Sequence, residues 1–197
     1  EYTAKIPFSD FKVFDFICQN VPKNSQLQVS NSSAIRYLQL FDLDKSIQVF
    51  CNRGTSGIDG STSTAIGAAL ASDLPTMLIT GDISFLYDSN ALWNNYIPKN
   101  FKIILLNNCG GGIFRILPGH QETETFNTYF ETSHQLNALH LAKMYGFDYY
   151  TATDEDSLKT SYKSFLNQNN KPCILEIFTP EKSNNKILLD FFGALKK

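Results

Sequence analysis

The sequence lacks the features that would place it at a glance. It has no cysteine pair at metal-site or redox-motif spacing: Cys18, Cys51, Cys109 and Cys173 stand alone. Isolated thiols in a chain of this size point to a reducing compartment, so the cytoplasm is the expected location. The histidines, His120, His134 and His140, show no HExxH or i,i+4 pattern, which argues against a zinc centre. Neither charge dominates. A formal net charge of −2 gives no electrostatic case for nucleic acid or an anionic membrane. No apolar run is long enough to span a bilayer, and no basic-then-apolar leader pattern opens the chain. Internal repeats and low-complexity tracts are also missing, which excludes solenoids and disordered linkers.

What is present is a chain of 197 residues with 16 Phe and 9 Tyr, enough for one sizeable core and a single domain. It opens at Glu1 rather than Met, which fits either processing or a longer parent protein.

Strand-like and helix-like stretches alternate. "QLQVS", "SIQVF", "TMLIT", "FKIILL", "FDYYTA" and "PCILEIF" read as short strands. Between them lie "SDFKVFDFICQNVP", with Phe11, Phe14 and Ile17 on one helical stripe, and "NSSAIRYLQLF", a helix capped by Asn31 or Ser32. "STSTAIGAALAS", "SNALWNN", "QLNALHLAKMYG", "DEDSLKTSYKSFLNQN" and a last C-terminal stretch read as further helices. Continuous apolar strands separated by helices predict an α/β fold: a doubly wound, mostly parallel sheet with helices on both faces. Such sheets bind ligands beyond the carboxyl ends of their strands. The loops after "SIQVF", "TMLIT" and "FKIILL" are therefore the ones to read.

The first, "NRGTSGIDGSTST", spaces Gly54, Gly57 and Gly60 by three before a helix start. It is neither a Walker loop nor a GxGxxG fingerprint. Alone it fits a backbone close to an anion, or a tight turn with close helix packing through Gly67, Ala68 and Ala69. The second, "GDIS", sets Asp82 directly after a strand, where an ordinary N-cap is the plain alternative. The third, "NNCGGGIF", ends a strand on Asn107 and Asn108 and follows with three glycines. Each of those glycines disfavours order by roughly 0.5–1 kcal/mol relative to Ala, which a close ligand would justify. Taken together, the Asp82 carboxylate and the Asn108 amide are hard oxygen donors at one sheet edge. That pair suits Mg²⁺, which keeps positions open for phosphate oxygens, while glycine amides cover the rest of the phosphate.

The segment from Gly81 to Asn108 resembles the thiamin-diphosphate motif, which begins Gly-Asp-Gly and ends Asn-Asn, with Ile83 here in the third position. "NRGTSGIDGSTSTA", "GDISFLYDSNAL" and "NNCGGGIFRILP" together resemble the branch of that family that serves menaquinone biosynthesis. The resemblance implies thiamin diphosphate and Mg²⁺ (or Mn²⁺) as cofactors. It implies decarboxylation of 2-oxoglutarate and addition of the succinyl unit to isochorismate. As metal ligands it implies Asp82, Asn108 and the Gly110 carbonyl. As cofactor-binding residues it implies Gly57, Ile58, Gly81, Asp82, Ile83, Ser84, Asn108, Gly110, Gly111 and Ile113. Among these, Ile58 would sit under the bent cofactor and Ser84 with its neighbouring backbone against the diphosphate. For the substrates it implies Ser32 and Arg36 as a carboxylate-holding pair, Arg53 facing them, and Ile113, Phe114 and Leu117 as an apolar wall. Arg115 has no assigned role.

Enzymes of this family also need a glutamate against the pyrimidine ring, carried by an N-terminal pyrimidine-binding domain, with the site built between two subunits. Glu122, Glu124, Glu131 and Glu176 do not stand in the matching context. The expectation is that residues 1–197 form the C-terminal, diphosphate-binding domain of a longer enzyme, folding alone but not turning over substrate. Two other readings remain open. One is another thiamin-dependent carboligase or decarboxylase, such as one making acetolactate, against which "SGIDG", "LYDSNAL" and the Arg36 and Arg53 pair argue. The other is a non-catalytic phosphate- or nucleotide-binding module, which explains the glycine loops but not Asp82 and Asn108 at matched strand ends.

Overall fold

A computed structural model describes residues 2–195; Glu1, where the chain opens, and the last two lysines lie outside it. Six strands form one fully parallel sheet: β1 (Gln26–Val29), β2 (Gln48–Cys51), β3 (Thr76–Gly81), β4 (Lys102–Asn107), β5 (Asp148–Ala152) and β6 (Cys173–Phe178). Their order is β2-β1-β3-β4-β6-β5. The order reverses between β1 and β3, so the connections there leave in opposite directions and open a crevice at the carboxyl edge.

The alternation of buried residues along the strands explains the two layers of helices. Ile104 and Leu106 face one side with Leu27, Val29, Met77, Ile79, Leu175 and Ile177. That face is covered by α1 (Asp10–Asn20), α2 (Ser33–Leu38), α6 (Glu155–Asn167) and α7 (Asn184–Leu195). Ile103 and Leu105 face the other side with Leu78 and Ile174. There α3 (Ser61–Leu70), α4 (Asp82–Tyr87) and α5 (Leu139–Tyr145) pack through Ala65, Ile66, Phe85 and Ala142. Both faces are dry, which is why the strands carry continuous apolar runs rather than alternating polarity.

Local chemistry sets the helix ends. Ser9 caps α1 by accepting from the Lys12 amide, and Asp154 and Ser157 form a reciprocal capping box on α6. Buried Asp88 takes the Ser63 amide and hydroxyl, both at 2.6 Å, and so serves the first turn of α3. Two expectations need correction. Ser32 occupies the N-cap position of α2 but makes no capping bond, and its φ is +71°. Asn31 caps nothing: its Nδ2 donates to the carbonyls of Asn52 and Gly57, tying the β1 and β2 loops together. In "SNALWNN" only a 3₁₀ turn forms, at Ser89–Trp93; the α-helix of that connection starts earlier, at Asp82. Among the described residues no helix is long and apolar enough to cross a membrane.

Candidate functional site

A cavity of about 520 Å³ opens at the carboxyl edge, over the reversal point of the sheet. Its floor is made by the segments leaving β1, β3 and β4, and one wall by the loop after β2. It gathers all ten of the expected cofactor residues. Ser32, Arg36, Phe114 and Leu117 line it as well. Arg53 does not line it directly; it is exposed and reaches inward only through Nη1, which donates to Asn31 Oδ1 at 3.3 Å.

Asp82 is the first residue of α4, with Gly81 in the cap position, so the plain N-cap reading does not hold. Its carboxylate is buried and oriented by backbone: Ile83 N donates to Oδ1 at 2.7 Å and Gly110 N to Oδ2 at 2.9 Å. The second bond joins the loops after β3 and β4. Register makes this possible, since Gly81 pairs with Leu106 and the two strands end level. Asn107 and Asn108 then diverge. Asn107 is buried, with Nδ2 donating to Glu176 and to the Leu136 carbonyl. Asn108 turns into the cavity. Its Nδ2 donates to Asp10 Oδ2 at 2.9 Å, and among the described residues its Oδ1 accepts nothing.

The donor set can be tested against a metal. Asp82, Asn108 Oδ1 and the Gly110 carbonyl, which among the described residues accepts only from Gly112 N at 3.0 Å, are all hard oxygens at the cavity. Among the described residues no group of three His, Cys, Asp or Glu side chains could hold a metal, so a cage of side chains alone is not present. One carboxylate with two neutral oxygens instead suits a divalent cation that completes its shell with phosphate oxygens. His134 stands beside the same carboxylate. Leu136 N donates to its Nδ1, so Nε2 carries the proton, and this buried Nε2 lies 3.3 Å from Asp82 Oδ2 without hydrogen-bond alignment. The Asp82 carboxylate beside it holds the imidazole above its ordinary pKa. The residues present fit the group.

The glycines divide into two kinds. Gly81 faces open space where a Cβ would stand. Gly110 and Gly111 are crowded by the protein itself. A Cβ on Gly110, at φ +155°, would stand 2.7 Å from the Glu131 carbonyl, and Gly111 N donates to that same carbonyl at 2.6 Å. The expectation that a ligand alone accounts for three consecutive glycines is thus corrected for these two. The approaching group is a π-helical turn, Phe126–Glu131, which lies across the loop. Arg115 holds it there: buried, it pairs through Nε and Nη2 with the Glu131 carboxylate. Ser84 donates its hydroxyl to the Ile58 carbonyl at 2.6 Å, fixing the β2 loop over α4 and carrying Ile58 to the cavity wall.

Sequence reading missed Asp10, His134 and the Arg115–Glu131 pair. Each reaches the site from a distant segment or by a turn whose form no local pattern announces. Asp10 is 2 % exposed, and burial pushes its carboxyl up to about 6, against hydrogen bonds from Thr179, Asn108 and Asn184.

Residues 31–177 match the family described as thiamine pyrophosphate enzyme, C-terminal TPP binding domain. Among relatives, the 2-succinyl-5-enolpyruvyl-6-hydroxy-3-cyclohexene-1-carboxylate synthase of Flavobacterium psychrophilum is 70 % identical over 98 % of the chain and 35 % of its own length. The synthase of the same name from Bacteroides fragilis is 41 % identical, with the same two coverages. The chain thus spans about a third of the length of the curated relatives it matches. Among solved structures, a thiamine diphosphate-dependent 4-hydroxybenzoylformate decarboxylase from Rhodococcus jostii RHA1 superposes with a TM-score of 0.65. It is 24 % identical, over 88 % of this chain and 33 % of that one, and shows the shared fold.

Proposed function

The chain belongs to the family formed by the C-terminal, TPP-binding domain of thiamine pyrophosphate enzymes, and from that premise we propose that it is the cofactor-holding part of a synthase of menaquinone biosynthesis. The reaction is decarboxylation of 2-oxoglutarate and addition of the succinyl unit to isochorismate. The activity for which relatives at up to 70 % identity are named supports that choice over an acetolactate-type carboligase. The observation that carries the cofactor reading is the convergence of Asp82 and Asn108, one oxygen of the latter unpartnered, at the level ends of β3 and β4.

Thiamin diphosphate, when bound, supplies the electron sink for decarboxylation and carbon–carbon bond formation. The residues of this chain hold and orient it. Asp82, Asn108 and the Gly110 carbonyl hold Mg²⁺ or Mn²⁺. Gly81, Ile83 and Ser84, with Gly57 and Gly111, line the cavity and would border the diphosphate. Ile58 and Ile113 offer apolar contact to the rings and exclude water. Ser32 and Arg36 hold a substrate carboxylate at the rim. There Arg36 Nη1 donates to the Ser32 carbonyl at 2.7 Å, which fixes the guanidinium while leaving its other N–H groups free for a bidentate partner. Arg53 completes the cationic side, and Phe114 and Leu117 its apolar side.

Both buried glutamates near the site are engaged elsewhere, Glu131 by Arg115 and Glu176 by Asn107, Ala138 N and Tyr149. The acid that works on the pyrimidine ring therefore comes from an N-terminal pyrimidine-binding domain, on a second subunit of the longer enzyme. The short share of each relative that this chain covers supports a longer parent enzyme. Four unpaired thiols support a reducing, cytoplasmic setting.

Thermal unfolding in the presence of Mg²⁺ with thiamin diphosphate, ATP or NAD tests the reading. Stabilisation by thiamin diphosphate alone is expected; stabilisation by ATP or NAD instead returns the chain to the class of nucleotide-binding modules. A turnover assay with both substrates should give no product from the chain by itself. Product formation would overturn the assignment of the missing acid to another domain.

A further inference from the structure

Asp10 is the one buried carboxylate on the cavity that the functional reading leaves without a role. It sits on the first turn of α1, almost a hundred residues before Asn108 in sequence. Its Oδ2 accepts from Asn108 Nδ2 at 2.9 Å and its Oδ1 from Thr179 Oγ1 at 2.5 Å. Its backbone amide donates to Asn184 Oδ1 at 2.9 Å, and Asn184 Nδ2 in turn donates to the Pro180 carbonyl at 2.8 Å. Asp10 thus joins α1, the loop after β4, the loop after β6 and the start of α7 at one point. Among the described residues no cation stands within ion-pair distance of it. Burying a carboxylate among neutral partners alone is costly, so its retention calls for a reason beyond packing.

The reason lies in the chemistry of an amide. Asn108 has a donor end and an acceptor end of nearly identical shape, and rotation by half a turn exchanges them. An ionised carboxylate only accepts. With Asp10 fixed by Thr179 and Asn184, Asn108 must turn its NH₂ towards Asp10, which leaves Oδ1 for the cavity that Asp82 and Gly110 also line. Rotated the other way, Oδ1 would oppose the Asp10 carboxylate and the NH₂ would point at the cation position. We propose that Asp10 is a positioning residue for the metal site, which acts through Asn108 by fixing its amide with the oxygen towards the cation. This rests on the cofactor reading above and adds to it a residue that touches neither metal nor cofactor.

The test is Mn²⁺ binding in the presence of thiamin diphosphate, followed by electron paramagnetic resonance of free Mn²⁺, on the unaltered chain and its variants, each below its own melting temperature. Asp10→Leu removes the acceptor and should raise the apparent Kd for Mn²⁺ about 10–100-fold, the usual range for loss of an outer-shell partner. Asp10→Asn can offer Asn108 either its oxygen or its NH₂, so its Kd should lie between those of the unaltered chain and Asp10→Leu. Should Asp10→Leu not fold, Asp10→Ser replaces it: its hydroxyl is one atom too short to reach Asn108, and the same rise is expected. A merely structural Asp10 would lower the melting temperature of the ligand-free variants and leave the Kd of the folded protein unchanged; that result overturns the proposal. Failure of the unaltered chain to bind Mn²⁺ overturns the cofactor reading itself, and the inference with it.

Discussion

The carboxyl edge of the sheet has two halves that use the same residue types differently. Over β5 and β6, Glu176 accepts from Asn107 at 2.6 Å, from Ala138 N at 2.9 Å and from the Tyr149 hydroxyl at 2.5 Å. Asn107 completes itself there by accepting from Cys109 N with Oδ1 at 3.1 Å. Both Glu176 oxygens and both ends of the Asn107 amide are answered from within. Over β1, β3 and β4 the answering stops short: Asn108 Oδ1 is free, His134 Nε2 is unaligned, and Gly110 O keeps a lone pair. Asn108 Oδ1 opens on the cavity, so an oxygen without a protein partner stands where a ligand can reach it. Asn107 and Asn108 are adjacent and alike, yet one belongs to the scaffold and the other to the site.

That contrast can be broken or sharpened by substitution. The largest stability effect is expected at Arg115→Ala, which strands the buried Glu131 carboxylate and frees the turn over the glycine loop; a loss of about 3–5 kcal/mol in denaturant unfolding is expected. Glu176→Ala leaves three donors unanswered and should lower stability by about 3 kcal/mol, while the folded fraction binds thiamin diphosphate as before. Weakened binding by that folded fraction would erase the division between the halves. Gly110→Ala meets the Glu131 carbonyl and should lose about 2 kcal/mol, together with cofactor binding, because the loop must shift. Gly81→Ala is its counterpart in open space: a stability change of about 1 kcal/mol or less, but a marked loss of affinity in calorimetric titration, since the added methyl stands where the ligand would. Equal binding by Gly81→Ala and the unaltered chain would show that this glycine is there for the turn.

Much of this architecture was legible in advance. The apolar runs located all six strands, and their alternation with helices led to the doubly wound sheet and so to its carboxyl edge. The loops holding Asp82, Asn108 and Ile58 were legible because glycine and oxygen-bearing side chains at strand ends have few uses. Other features depended on tertiary proximity. Asp10 looks like any acidic residue in a first helical turn, and only the packing of α1 beside the β4 loop brings it to Asn108. Arg115 and Glu131 pair across a π-helical turn that periodicity does not announce. The triple glycine was read as room for a ligand, whereas for Gly110 and Gly111 it is room for the Glu131 carbonyl. A glycine run tells that something comes close, and not what.

The most direct measurement is the melting temperature of Asn107→Ala and Asn108→Ala, each with and without thiamin diphosphate and Mg²⁺. Both should melt below the unaltered chain when ligand-free, since each loses hydrogen bonds to a buried carboxylate, by about 1.5–3 kcal/mol, or roughly 3–12 °C for a domain of this size. A ligand at a hundredfold excess over its Kd adds about 2.7 kcal/mol, so Asn107→Ala should still rise by roughly 5–10 °C. Asn108→Ala should lose most of that rise. Equal rises in the two variants, or loss of the rise in Asn107→Ala alone, would contradict the assignment of the cation site to the half of the edge built on β3 and β4.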